Sequence, residues 1–385
     1  MILNNVRVAL TDNLVNISVK DGKIARVSPA PFNDETGSFD FDPDSYRDAV
    51  IFPGLINSHD HLDFNLFPAL GDKKYNNYTE WGRHIHKTYK DKIAAVLNVP
   101  EALRVQWGIY KNLLCGVTTV VNHGKKIKTQ NELITIYQDC HSIHSVRFEK
   151  KWKFALNNPL KKSKPVAIHA GEGIDEVASL EIDQLIGWNL LKRDMIAIHG
   201  VAMDESQVKA FKALVWCPES NYFLLDKTAP ADRLKKHTSM LFGTDSTLTG
   251  NWNIWDHIRL ARKTKLVTDG ELYNALTSNA ADIWKLNGGG IAEGRDADLV
   301  MARLKNNIPA TDTFFELNPQ DILMVLHNGN IRLFDEELYP QMKGMNLESY
   351  SKIYINGTCK YVQGNLPELM QKIKHYYPEA SFPVI

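Results

Sequence analysis

Four apolar segments, far apart in the chain, lead into a histidine or an aspartate, and this constrains the fold more than any other feature. Val166-Ala167-Ile168 runs into His169, Ile196-Ala197-Ile198 into His199, and Leu241-Phe242-Gly243-Thr244 into Asp245. Earlier, Val50-Ile51-Phe52 precedes the triplet His59-Asp60-His61. Helix-length amphipathic stretches separate these segments, the pattern of parallel β/α units. In a parallel barrel all strand ends open on one face, where barrel enzymes place their chemistry. A core histidine satisfied by a backbone carbonyl explains any one of these residues; it does not explain all of them together.

The remaining elements fit the same plan. Pro100 suits a first helical turn, Leu103, Trp107, Tyr110 and Leu114 recur on one face, and Gly116 ends the helix before the strand Val117 to Val121. A helix is expected from about Glu176, and Asp204 with Gln207 has the form of a capping box. Strands are expected at 213–217 and 240–243. Residues 1–50 and 288–365 instead read as short strands with turns at Asp21-Gly22, Asn328-Gly329 and Asn356-Gly357. The expected fold class is therefore α/β: a TIM-like (β/α) barrel over 51–287, a small β-sandwich domain built from both termini, and a C-terminal helix and tail over 366–385. Between Val121 and Val166 about 45 residues must hold what ordinarily takes two β/α units, each crossover needing a dozen or more residues. A helix over 131–140, a strand near 145–148 and a short helix over 150–156 fill that stretch, so the barrel is expected to be distorted or to lack one strand.

Composition narrows the partners. Lys+Arg and Asp+Glu both total 45, which gives no electrostatic footprint for nucleic acid or an anionic membrane. A small-molecule substrate is expected, and a homo-oligomer is compatible with the sequence. The four cysteines form no C-x-x-C pair and suggest neither a disulfide framework nor a thiolate-bound zinc. No stretch reaches the ~20 apolar residues of a membrane-spanning helix, and the first residues lack a signal-like apolar core, so a cytoplasmic setting is expected. Gly288-Gly289-Gly290 lacks the Lys-Ser/Thr of a phosphate loop and reads as a connection.

His59 and His61, two apart in an extended segment, project to the same side and can reach one ion. His84 and His86 share that spacing, but on a helix they diverge by about 200°, so they read as surface residues, as do His141, His144, His237 and His375. Neutral imidazoles and one carboxylate suit a divalent ion, zinc first and iron or manganese next. Such an ion lowers the pKa of water to about 7.

Together, FPGLINSHDH, VAIHAGEG, AIHG, CPESN, FGTDS and the stretch GGGIAEGRDADLVMARL resemble the amidohydrolase superfamily, most closely its deaminase-type members, the adenosine deaminase, cytosine deaminase and chlorohydrolase-like branch. The resemblance implies one divalent metal ion held by His59, His61, His169 and Asp245. It implies Glu172 as the proton shuttle, His199 as the group orienting the hydroxide or developing oxyanion, and Asp245 as both ligand and acceptor of the water proton. The plainer reading of Glu172 is a carboxylate favoured by a helix N-terminus. His123, Trp81 and Asn221 are the substrate-side candidates. Lys125, Lys126 and Lys164 are the nearby candidates for a bridging lysine, and none ends a clear strand, which favours a single ion. Three functions stay open: hydrolytic deamination of a small nitrogen heterocycle, hydrolysis of a cyclic amide or other non-peptide C–N bond by the same site, and a catalytically silent scaffold, which would hold no stoichiometric metal.

Overall fold

Apolar runs of four to six residues, too short for helices and rich in Val and Ile, become strands throughout the chain. The computed structural model describes residues 1–32, 49–128, 132–305, 308–342 and 345–385. Near the N-terminus lie β1 (Ile2–Val8), β2 (Leu14–Lys20), β3 (Lys23–Ser28) and β4 (Ala49–Pro53). Then come β5 (Leu55–Asp60), β6 (Val117–Asn122), β7 (Thr135–Tyr137) and β8 (His141–Ser145). They are followed by β9 (Val166–Ala170), β10 (Met195–His199), β11 (Ala213–Trp216) and β12 (Ser239–Phe242). The last five are β13 (Leu299–Arg303), β14 (Ile322–His327), β15 (Asn330–Asp335), β16 (Tyr350–Ile355) and β17 (Thr358–Gln363).

The terminal strands hydrogen-bond as one nine-stranded sheet, ordered β16-β17-β15-β14-β13-β4-β1-β2-β3. Ile17 and Ile24 from one end of this sheet share a hydrophobic cluster with Leu326 and Phe334 from the other, so the sheet curls over a core of its own. The run Val50-Ile51-Phe52 belongs to this sheet: β4 pairs with β1 and β13. The strand that carries the histidine triplet is the next one, β5. Part of the expected terminal domain, residues 33–48, lies outside the described residues.

The parallel strands form a five-stranded sheet, β12-β11-β10-β9-β8, and a three-stranded sheet, β5-β6-β7. An isolated parallel bridge between Asp60 and Asp245 joins the end of β5 to the segment just after β12. β7 and β8 are separated only by residues 138–140. A parallel crossover needs a dozen or more residues, so β7 and β8 are two segments of one bent strand, the first paired with β6 and the second with β9. Counted this way, the described residues hold seven parallel strand paths. The helix expected over 131–140 begins on Asn131, outside the described residues; from 132 onward the segment instead contains β7. The strand expected near 145–148 lies earlier, as β8.

Helices among the described residues include α1 (Tyr78–Thr88), α2 (Lys90–Leu97), α3 (Glu101–Leu113), α4 (Trp152–Leu156), α5 (Glu176–Trp188) and α6 (Pro218–Leu225), of which α3, α4 and α5 lie where the sequence places a helix. The C-terminal helix spans Leu366–Tyr376. The Asp204–Gln207 capping box forms in both directions, but only a 3-10 turn, Val208–Ala210, follows before β11. α3 packs so closely on the backbone after β5 that a Cβ at Gly108 would stand 2.2 Å from the Leu62 carbonyl oxygen. No helix among the described residues is long and apolar enough to cross a membrane.

Candidate metal centre

The pleat of β5 sends alternate side chains to opposite sides. His59 and His61 face the strand ends, and Asp60 between them points into the protein. His59, His61 and His169, all buried, bring one ring nitrogen each to within 4.8 Å of one another. His169 Nε2 and His59 Nε2 are 3.2 Å apart. Asp245 completes the group from after β12, its Oδ1 lying 3.5 Å from His59 Nε2 and 3.6 Å from His61 Nε2. The other oxygen, Oδ2, accepts hydrogen bonds from Ser220 Oγ at 2.9 Å and Thr249 Oγ1 at 2.7 Å, which fixes the plane of the carboxylate.

Orientation of the imidazoles is set from behind. His169 Nδ1–H donates to the His144 carbonyl at 2.7 Å, which leaves Nε2 as the lone-pair nitrogen facing the group. His199 Nδ1–H likewise donates to Asn221 Oδ1 at 2.8 Å. Its Nε2 lies 3.6 Å from Glu172 Oε1. His199 and Asp245 both adopt left-handed backbone, with φ of 75° and 60°, a conformation that costs non-glycine residues energy and gathers at functional sites. At Gly243 a side chain is excluded altogether: a Cβ there would stand 2.8 Å from the His59 Cβ.

Electrostatics separates the two carboxylates. Burial, then the charge of Asp245, raises the Glu172 pKa well above its ordinary value, which favours its protonated form. Burial opposes the charge on Asp245 too, but its hydrogen bond with His59 and the adjacent imidazoles outweigh that and hold it well below the usual carboxylate range. Burial also lowers His61, His123 and His169, and takes His199 down to about 4. Unprotonated imidazoles are the form that binds metal. The three imidazoles of His59, His61 and His169 beside a fixed carboxylate fit the donor set of a zinc-type ion.

Beneath this group lies a charged pair that sequence reading missed. Asp60 is fully buried, and its Oδ2 meets Lys111 Nζ of α3 at 3.1 Å. Three amides also donate to it: Asn65 and Asn112 at 2.8 Å, and Asn57 at 3.3 Å. Lys111 Nζ also reaches Thr244 Oγ1 at 3.3 Å, and the Thr244 N–H donates to Asn57 Oδ1. The network thus ties the histidine triplet to the residue before Asp245. Its one signal in the sequence was a lysine beside the apolar stripe of α3.

The other candidates are distributed as follows. His123, at the end of β6, is buried with its ring 4.5 Å from that of His169, and its Nε2 has no hydrogen-bond partner among the described residues. Trp81 donates to the Leu70 carbonyl and lines a cavity of about 720 Å³ beside the metal group. Asn221 is fully buried under His199. Of the histidines expected on the surface, His141 is buried, its Nδ1 accepting from Arg193 at 3.0 Å, whereas His144 is exposed, with its ring 4.9 Å from that of His169. His84 meets Asp72 at 2.9 Å, away from the metal group. Lys125 and Lys126 are exposed, and Lys164 pairs with Asp139.

Comparison with known proteins gives the same picture over much of the chain. The amidohydrolase family matches residues 153–332. A 5-methylthioadenosine/S-adenosylhomocysteine deaminase of Pyrococcus abyssi is 26% identical over 200 residues, covering 45% of this chain and 47% of the relative, so that match spans about half of the relative's length. A 5'-deoxyadenosine deaminase of Methanococcus aeolicus is 23% identical over 80% of this chain and 89% of its own. Among solved structures, a zinc-bound adenosine deaminase of Xanthomonas campestris superimposes with a TM-score of 0.68 at 16% identity, covering 96% of this chain and 94% of its own. The zinc complex of an atrazine chlorohydrolase of Arthrobacter aurescens gives 0.67 at 16% identity, with 98% and 100% covered. At these identities the structural likeness is one of fold, and the fold is TIM-like.

Proposed function

We propose that the chain is a member of the amidohydrolase superfamily, a metal-dependent hydrolase that deaminates a small nitrogen heterocycle, with adenine-type rings the first to test. The reading rests on one observation above all: two buried carboxyl groups, Glu172 and Asp245, lie beside three clustered imidazoles, and their surroundings push their pKa values in opposite directions. Paired groups whose environments push their pKa values apart mark an acid and a base.

His59, His61, His169 and Asp245 would hold one divalent ion, zinc being the best match to the donors. When bound, the ion supplies Lewis acidity and lowers the pKa of water to about 7. Asp245 accepts the proton of the attacking water. Glu172 gives its proton to the ring nitrogen next to the carbon under attack, so charge never builds up on the ring. His199, its Nδ1–H held by Asn221, keeps Nε2 as an acceptor that can orient the attacking water by taking a hydrogen bond from its O–H. The amino group takes the proton that Asp245 received and leaves as ammonia, Glu172 recovers the proton of the added hydroxyl, and the ring keeps the oxygen. Lys125 and Lys126 are exposed, Lys164 pairs with Asp139, and the buried Lys111 is engaged by Asp60 behind the ligands, which supports a single ion. The bridge from Asp60 to Asp245 supports reading the seven strand paths as a closed barrel one strand short, with the terminal sheet as its companion domain.

An ammonia-release screen with zinc-loaded protein across aminopurine nucleosides, aminopyrimidines and aminotriazines tests this. On any substrate found, Glu172→Gln should keep the metal and lose turnover by about 10²- to 10⁴-fold, the usual share of general acid–base catalysis. Full activity in that variant removes Glu172 from the reaction. Ring opening without ammonia would favour the cyclic amide instead.

A further inference from the structure

The 720 Å³ cavity beside the metal group lies within the range of pockets that enclose whole drug-sized ligands, about 300–1,000 Å³, and is far larger than one heterocycle requires. Its inner wall is apolar. Phe64 stacks on His61, with ring centroids 5.4 Å apart, and Trp81 and Phe148 continue the surface outward. The rest of the lining is one-sided in charge. Arg83, His86 and Lys87 line it, and no carboxylate does.

These three side chains lie at i, i+3 and i+4 on α1 and so share a face. All are exposed, and among the described residues none has a hydrogen bond or an ion pair. Their neighbours do: Lys73 pairs with Glu80 and His84 with Asp72, each at 2.9 Å. The negative end of the helix dipole accounts for cations in the last turn of α1, but not for Arg83 in mid-helix. An apolar wall that begins at Phe64, stacked on His61, and ends at the unpaired cations Arg83 and Lys87 matches a molecule with the same order of parts.

We propose that the substrate carries, beyond the ring that meets the metal, an apolar arm ending in an anionic group, and that Arg83, His86 and Lys87 receive that group. This rests on the hydrolase reading above and specifies what the site would accept. Arg83 provides a planar fork for a carboxylate or similar oxyanion, and Lys87 a mobile point charge.

The test uses zinc-loaded protein and two probes of one shape, 4-phenylbutyrate and its neutral amide, titrated by calorimetry. The acid should bind about tenfold tighter at low salt, and the difference should shrink at 1 M salt, where charges are screened within about 3 Å. In the double variant Arg83→Gln, Lys87→Gln the acid should fall to the level of the amide. Both side chains are exposed, so the variant should fold. Equal affinities, no binding of either probe, or an acid preference that survives the double variant would each overturn the proposal, the last because the carboxylate would then be held elsewhere, as at the metal. Ammonia release from the same preparation reports on the hydrolase reading separately: ammonia without acid selectivity removes only the anionic arm, and acid selectivity without ammonia removes only the reaction.

Discussion

Replacing Lys111 by Met tests whether the buried pair under the metal group acts as a unit. The substitution keeps most of the side-chain length and removes the charge, leaving Asp60 ionised with no counter-charge in contact. Both side chains are essentially inaccessible, 0% exposed for Asp60 and 2% for Lys111. Removing one partner from such a pair costs about 3–5 kcal/mol. Three amide donors remain on Asp60, which places Lys111→Met near the lower bound, about 3 kcal/mol. With an unfolding entropy of about 2.1 cal/mol/K per residue, the 385-residue chain should lose ~4 °C in Tm. The double variant Asp60→Asn, Lys111→Met removes both charges and should recover much of the loss, because it is the unpaired charge, more than the missing contact, that is costly. Denaturant and thermal unfolding of the two variants, with zinc content measured alongside, give the comparison. If Lys111→Met unfolds within about 1 kcal/mol of the parent, the range of an exposed pair, or if the double variant is no more stable than the single, the reasoning fails.

Three further outcomes are expected. His169→Ala and Asp245→Ala should each lose bound zinc and activity together, by elemental analysis and ammonia release; an active zinc-free variant would contradict the ligand assignment. Gly243→Ala should cost about 1–3 kcal/mol by overpacking and weaken zinc binding, since the new methyl would press on His59; a variant with unchanged zinc affinity would show that the contact relaxes freely. The raised pKa of Glu172 also predicts a pH trend in the metal-free protein. Above pH 4.5 the folded state holds a proton on Glu172 that the unfolded chain has released, so stability falls as pH rises towards the folded value. Glu172→Gln should flatten that slope and be the more stable protein at higher pH, and an identical slope in both would refute the buried, protonated carboxyl.

What was legible in the sequence was local. Apolar runs that end in His or Asp reveal strands and their outward ends, and α3 and α5 carry clear start signals, so the residues of the metal group could be named before their geometry was known. What was not legible depended on pairing between distant segments. The stretch Leu133, Ile134, Ile136, Tyr137 and Cys140 has apolar spacings that suit a helix, yet it forms β7, because β6 offers an open edge and Ile-Thr-Ile suits a strand. Val50-Ile51-Phe52 read as the first barrel strand, but its neighbours are β1 and β13, one of them about 250 residues away in sequence. The Asp204 capping box formed without a helix behind it, since Phe211 must already turn into β11. Asp60 looked like a spacer between two histidines; only the fold brings Lys111 to it. His144 looked like a surface residue and is exposed, but its carbonyl sets the tautomer of His169.

The bent strand formed by β7 and β8 shows where this scaffold can change without disturbing its chemistry. The path from β7 to β8 contributes one carbonyl to the orientation of His169, but none of His59, His61 and His169 and neither Glu172 nor Asp245. His144 in β8 and Phe148 just beyond it line the 720 Å³ cavity, so a change in the length of this segment would reshape that cavity and leave His59, His61, His169 and Asp245 on their own strands and strand ends.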